Sequence, residues 1–326
     1  MVAAPKRSPR SRGLWLVVGS ADALARLQPL LDARRKRQPV KTIVCAEQEA
    51  RLPTIEELPA DTEAVLVVGP PRVSPRRGLP GLWLEDRAGR KVPVGWLPDK
   101  GEGLSTYAQA AARVLARSPT ERAMVVLGQW EDRFLRVSLR TQRWLEKHGG
   151  DAPGFLWTAD RISRPDMLDG LSLGPAAAMY FGHGRPRGWA GYHGVRYEHF
   201  DRDWAEPTGA LLAVCCENAS RWRTSTSFAE RMVLRGFAGA MFAAVTKTTH
   251  EDNRRWGPAL CEAYTEHKPE TLADLVRLAD VPEKLKDAGP YRFIGDPLMP
   301  LSGAAGVGQK ATQVFAPAAN DPLPEW

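Results

Sequence analysis

Two apolar runs in this sequence end in a reactive side chain. Residues 176–181 (AAAMYF) lead into Gly182-His183-Gly184, and residues 211–215 (LLAVC) lead into Cys216, with Glu217, Asn218 and Ser220 beyond it. A thiolate attacks a carbonyl carbon, and an imidazolium hands its proton to the departing amine. The pair therefore suits acyl transfer. One histidine and two adjacent thiols, Cys215 and Cys216, are available for it. A solitary cysteine ordinarily serves as a small buried hydrophobe. What points to chemistry here is placement, because both groups follow an apolar run and precede small or polar residues.

The glycines beside His183 meet a second need of the same chemistry. Gly184 has no Cβ, so its N–H can come close to a substrate carbonyl. Such a donor stabilises the oxyanion, and losing one costs on the order of 10²–10³ in rate. The N–H of Cys216 is the candidate for the other donor of an oxyanion hole.

Strands must position these groups. Short apolar runs at 14–18, 42–45, 64–68, 124–127, 155–158, 176–181, 211–215, 240–245 and 293–294 alternate with longer patterned segments. Leu24, Leu27, Leu30 and Leu31 share one face of a helix, and further helices are predicted over 105–116 and 137–147. Residues 82–85 and 92–96 flank Arg87-Ala88-Gly89, which predicts a hairpin. The alternation predicts an α/β fold around a mainly parallel sheet. Sites in such sheets form outside the carboxyl ends of strands. Neighbouring strands lie about 4.7–4.9 Å apart, so parallel neighbours would bring His183 and Cys216 within working distance. A boundary near residue 120 separates a smaller α/β subdomain over 13–120 from a second unit over 121–326, with a basic tail over 1–12.

Hydrophobic residues make up 43% and charged residues 25%, an ordinary globular balance that permits a sizeable core. The net charge is +7, with clusters at Lys6, Arg7, Arg10 and Arg12 and at Arg34, Arg35, Lys36 and Arg37. Basic clusters raise the alternative of a nucleic-acid-binding protein. No motif of that class accompanies them, and a solvated tail and a charged helix end are expected instead. The first apolar run spans only about five residues, too short for the core of a signal peptide. No run approaches the ~18 residues of a membrane span. Cys45, Cys215, Cys216 and Cys261 form no CxxC and no secreted disulfide framework. His193, His199, Asp201 and Asp203 fit no metal-ligand spacing. The expectation is a cytoplasmic protein with no cofactor, no metal, no membrane partner and no nucleic acid.

In their order along the chain, these motifs resemble those of the gingipain-type cysteine peptidases, caspase-like members of clan CD. The matching tracts are Tyr180-Phe181-Gly182-His183-Gly184 with Gly188-Trp189, then Ala213-Val214-Cys215-Cys216-Glu217-Asn218, then Ile294-Gly295-Asp296-Pro297. The family carries an Asn two residues after its nucleophile, and aligning Asn218 there selects Cys216 over Cys215. Two positions depart from the pattern: Ala219 where the family has Gly, and Trp96 where its Val-Gly-Arg ends. The resemblance implies a caspase-like three-layer fold, with the catalytic domain over 121–326. It implies a cysteine endopeptidase acting on protein or peptide substrates through His183 and Cys216, after Arg or Lys. By the same carry-over, Glu131 orients His183, while Asp132 and Trp256 belong to the S1 pocket, with residues 246–249 as a pocket loop. An activating protease or regulatory partner is a further expectation, with self-cleavage at residues 34–37 or at Arg76-Arg77. An inactive member of the family serving as an interaction module is the alternative reading.

Overall fold

Alternating burial lays down the first half of the sheet. In the computed structural model, which describes residues 13–46, 51–69, 79, 81–118, 122–149, 154–202, 204–279 and 289–303, β1 (Leu14–Gly19) sends Trp15 and Val17 to one face and Leu16 and Val18 to the other. Helices α1 (Ala21–Arg26) and α2 (Gln28–Arg35) follow, and the predicted leucines are buried on them or at their junction. Then come β2 (Val40–Val44), β3 (Thr62–Gly69), and the antiparallel hairpin of β4 (Trp83–Glu85) and β5 (Lys91–Pro98). Its turn closes on the Asp86 carboxylate, which accepts from the N–H groups of Ala88 and Arg90, with Gly89 at φ 72°. Helix α3 (Glu102–Ala116) ends this half.

The second half contains β6 (Met124–Gly128), α4 (Asp132–His148), β7 (Gly154–Thr158), α5 (Arg164–Leu171) and β8 (Ala177–Phe181). A small antiparallel sheet of β9 (Gly184–Arg185), β10 (Gly188–Trp189) and β11 (Val195–Arg196) follows. The chain continues through β12 (Thr208–Val214), α6 (Phe228–Leu234), β13 (Ala238–Ala244), α7 (His250–Glu266), α8 (Leu272–Leu278) and β14 (Tyr291–Gly295). The strands of the large sheet run in the order β2-β1-β3-β5-β14-β13-β12-β8-β6-β7, with β4 on β5. Only the β13–β14 and β4–β5 pairs are antiparallel. Helices α2, α3 and α6 pack together as one layer, and α4, α7 and α8 as another. This is the mainly parallel, three-layer α/β architecture expected.

Both halves share that sheet. β14 pairs with β5 through Phe293↔Gly95 and Ile294↔Trp96. Gly95 is required there, because a Cβ would overlap the Gly295 carbonyl oxygen. The Ile294-Gly295-Asp296-Pro297 motif has a structural duty at this seam. Asp296 is fully buried and accepts from Arg34 Nη2 at 2.6 Å, while its N–H donates to Tyr107 Oη at 2.8 Å.

That ion pair corrects the reading of one member of the 34–37 basic cluster, Arg34, as exposed. Arg34 is 1% exposed and Arg37 donates to the Leu115 carbonyl oxygen. A buried pair satisfied by further hydrogen bonds belongs to the core, while Arg35, Lys36 and Arg37 are exposed. The basic tail over 1–12, Arg76-Arg77 and Asp203 lie outside the described residues.

Four helices, α5 to α8, were not among those predicted. Helix α5 opens on a Ser163 cap with Pro165 in its first turn, and α6 on a Ser227/Glu230 capping box. Helix α8 is short, and α7 carries Pro258 inside it, a residue that ordinarily ends a helix. Helix α4 begins at Asp132, five residues before its predicted start.

Candidate active site

The register of β8 against β12 brings the two reactive strand ends together. The pair is parallel, with Val214 opposite Phe181. Two residues on, His183 and Cys216 leave the same edge of the sheet. The next residue confirms the close approach: a Cβ on Gly184 would overlap the Cys216 carbonyl oxygen. Glycine is needed at 184 because the two loops touch backbone to backbone.

His183 is exposed but held from several sides. Its N–H donates to Gln129 Oε1 at 2.7 Å, and its carbonyl accepts from Ala190 N at 2.9 Å and Tyr180 Oη at 3.3 Å. The ring meets Phe134 edge-on, 5.1 Å between centroids. Its Nε2 lies 3.3 Å from Glu131 Oε1 and 2.7 Å from Arg133 Nη2. Arg133 also donates to Glu131 Oε2 at 2.7 Å, so one guanidinium bridges the carboxylate and the imidazole. Because an arginine can only donate, Nε2 accepts in this arrangement and the other ring nitrogen carries the proton.

Gln129, absent from the expected set, links these parts. Its Oε1 holds the His183 backbone while its Nε2 donates to Glu131 Oε1 at 2.8 Å. It is 2% exposed and lies one residue past β6. Nothing in its sequence context marks it beyond proximity to Glu131.

The two adjacent cysteines have opposite surroundings. Cys215 is fully buried and donates to Asn218 Oδ1 at 3.1 Å. Burial pushes its thiol well above the ordinary range, so it stays protonated at neutral pH. Cys216 is half-buried, and its Sγ lies 3.3 Å from both Thr248 N and Thr248 Oγ1. Asn253 Nδ2 donates to Thr248 Oγ1 at 2.9 Å, and Tyr291 Oη donates to Asn253 Oδ1 at 2.6 Å. Burial keeps Tyr291 protonated, which suits it as the donor at the head of this chain. Thr248 Oγ1 thus accepts from Asn253 and has Cys216 Sγ within hydrogen-bond reach. Within residues 246–249, expected as a pocket loop, Thr248 is the residue that contacts Cys216 Sγ.

Two N–H groups of these loops are left without a ladder partner. Ala190 N bonds to His183 O, so Gly184 and Trp189 form a non-hydrogen-bonded pair of the β9–β10 ladder. The Gly184 N–H is thus outside the ladder. The Cys216 N–H has no hydrogen bond among the described residues, whereas the next amide, Glu217 N, is used on Thr246 O. Glu217 holds φ at 58°, a left-handed conformation uncommon for this residue type.

Asn218 fastens the two loops. Fully buried, it accepts from Trp189 Nε1 at 2.6 Å and donates to the carbonyls of Arg185 and Gly188 at 2.8 and 3.0 Å.

The S1 candidates do not form an enclosed acidic pocket. Trp256 is fully buried, edge-on to Phe242 and Tyr291, and lines no surface; its place on the inward side of α7 is a core position. Asp132 lies at the start of α4, with its side chain 82% exposed and 3.7 Å from Arg136. Glu131 is close to the pair, but as the partner of His183, Gln129 and Arg133.

The chain resembles the crystal structure of the Arg-specific cysteine proteinase gingipain R, RgpB, with a TM-score of 0.73 at 14% identity, over 93% of this chain and 81% of that one. The complex of the Porphyromonas gingivalis RgpB pro- and mature domains gives 0.70 at 15% identity, over 88% and 80%. A third structure, named only as a protease, gives 0.68 at 14%, over 89% and 79%. No curated protein matches the sequence. Such distant likeness establishes the fold alone. The family model for Peptidase family C25 matches residues 140–302, half of the chain and the half that contains both His183 and Cys216. With its fold and that match in agreement, the chain belongs to peptidase family C25, a family of cysteine-type peptidases.

Proposed function

We propose that the chain hydrolyses peptide bonds within polypeptides, with Cys216 as nucleophile and His183 as general acid and base. The observation that carries this reading is the register of β8 and β12, which delivers both groups to one edge. The Cys216 thiolate attacks the scissile carbonyl carbon, and the oxyanion forms beside the N–H groups of Gly184 and Cys216. His183 gives its proton to the leaving amine as the C–N bond breaks. A water molecule then attacks the thioester, losing its proton to His183. The acid product departs and the thiol is restored.

Glu131 is a positioning residue in this scheme. Glu131→Gln is expected to lower kcat on the order of 10-fold with KM little changed, because the imidazole loses its anionic neighbour. Unaltered kcat in steady-state peptide assays would remove Glu131 from that role.

Cleavage after Arg or Lys is the finer reading, and the resemblance to the gingipain type supports it. An incoming basic side chain would compete with Arg133 for Glu131. A peptide-library profile tests both levels. Turnover concentrated at P1 Arg and Lys is expected; turnover spread over neutral P1 residues would remove the preference while leaving the peptidase reading intact. A cytoplasmic setting remains part of the proposal, supported by the free thiols Cys215, Cys216 and Cys261. No helix among the described residues is long and apolar enough to cross a membrane.

A further inference from the structure

Beside His183, between the first turns of α4 and α7, opens a cleft of about 540 Å³. Its lining includes Arg133, Arg136 and Arg140 from α4 and Arg254 from α7, against the carboxylates of Glu131 and Asp132. The three α4 arginines follow a spacing of three and four residues, so they form one stripe along the helix. Both helices run 17 residues and begin at this edge, so their N-terminal ends add positive potential to the guanidiniums.

The charges in the cleft are exchangeable. Arg133 pairs with Glu131, Arg136 with Asp132 at 3.7 Å, and Arg254 with Glu251 at 3.1 Å. All of these side chains are substantially exposed, and such pairs are worth about 0–1 kcal/mol. A carboxylate arriving from elsewhere meets little resistance in replacing a local partner. Arg140 has no hydrogen-bonding or ionic partner among the described residues.

We propose that this cleft binds an acidic stretch of the polypeptide substrate flanking the scissile bond. The proposal rests on the peptidase reading of the same site, since the cleft begins where Arg133 touches His183. From Arg133 to Arg140 the helix advances about 10 Å, the length of about three extended residues. Two or three Glu or Asp side chains therefore fit the stripe.

The test measures binding, so it does not depend on turnover. Full-length Cys216→Ala is titrated into two fluorescein-labelled peptides that differ only in Glu-Glu-Glu against Gln-Gln-Gln beside one Arg. Fluorescence anisotropy is expected to show the Glu peptide bound at least 10-fold more tightly in about 150 mM salt, with the advantage shrinking in about 500 mM. Adding Arg136→Gln and Arg140→Gln is expected to reduce that advantage to under threefold. Circular dichroism confirms that these surface variants stay folded. Equal affinity for the two peptides, no binding of either, or an advantage that survives loss of both arginines overturns the proposal. A short DNA duplex displacing the Glu peptide at lower concentration than unlabelled Glu peptide does would also overturn it, assigning the cleft to nucleic acid. If the wild-type chain cleaves neither peptide, the peptidase reading fails, while the binding result still judges the cleft.

Discussion

Cys216→Ala abolishes peptide hydrolysis and Cys215→Ala does not: this is the expected result of replacing the two adjacent cysteines one at a time. Their neighbourhoods differ in every respect that governs thiol reactivity. Cys215 is buried without solvent contact, has its thiol pushed up by burial, and already spends its S–H on Asn218. Cys216 is reachable, accepts from Thr248 N and lies 3.3 Å from the Thr248 hydroxyl. Removing a catalytic nucleophile costs on the order of 10⁴–10⁶ in kcat. Cys215→Ala is expected to cost about 1–2 kcal/mol of stability and to leave turnover within roughly threefold, since it removes a small buried side chain and one weak hydrogen bond. Peptide turnover and iodoacetamide labelling under native conditions check both. Labelling and turnover that survive in Cys216→Ala but vanish in Cys215→Ala would reassign the nucleophile.

His183 and Cys216 stood out in the sequence because strand ends leave a strong trace. An apolar run that stops at Gly182-His183-Gly184 or at Cys216 announces both the strand and the edge where it stops. The sheet strands were legible for the same reason, and so was the β4–β5 hairpin, whose turn residues are local. What escaped was set by distant partners. Gln129 looks like any loop glutamine until the turn after β8 places His183 N against it. Thr248 gains its meaning from Asn253 and Tyr291, of which the latter stands 43 positions further along the chain. Trp256 misled because an aromatic near a loop reads as a pocket wall, whereas the face of α7 decides whether it points inward. Arg34 misled for the opposite reason. A run of four cations reads as solvated, yet one of them reaches Asp296, 262 residues away.

Asn218 is the position where loss of one polar side chain should do most damage to both stability and catalysis. Its amide group joins the strand-end loop of the nucleophile to the β9–β10 hairpin that follows His183. Asn218→Ala leaves the Trp189 indole N–H, the Cys215 S–H and the carbonyls of Arg185 and Gly188 without this partner, in the interior. An orphaned buried polar group costs about 1–3 kcal/mol, and groups that share one partner do not add in full. A total loss of about 3–5 kcal/mol is expected, read as a lower urea midpoint at unchanged slope. Activity should fall further than stability alone explains. Gly184 is held against the Cys216 carbonyl by this same fastening, and a shift of about 1 Å at a reacting pair costs on the order of 10²-fold. Assays at a temperature where circular dichroism shows the variant folded separate the two effects. Asn218→Asp should not rescue, because a carboxylate cannot donate to the Arg185 and Gly188 carbonyls and brings a charge into a buried site. A variant with wild-type midpoint and wild-type kcat would show that the hairpin and the nucleophile loop are held in place by other contacts. The backbone approach at Gly184 would then be the only tie between His183 and Cys216 that needs a specific residue.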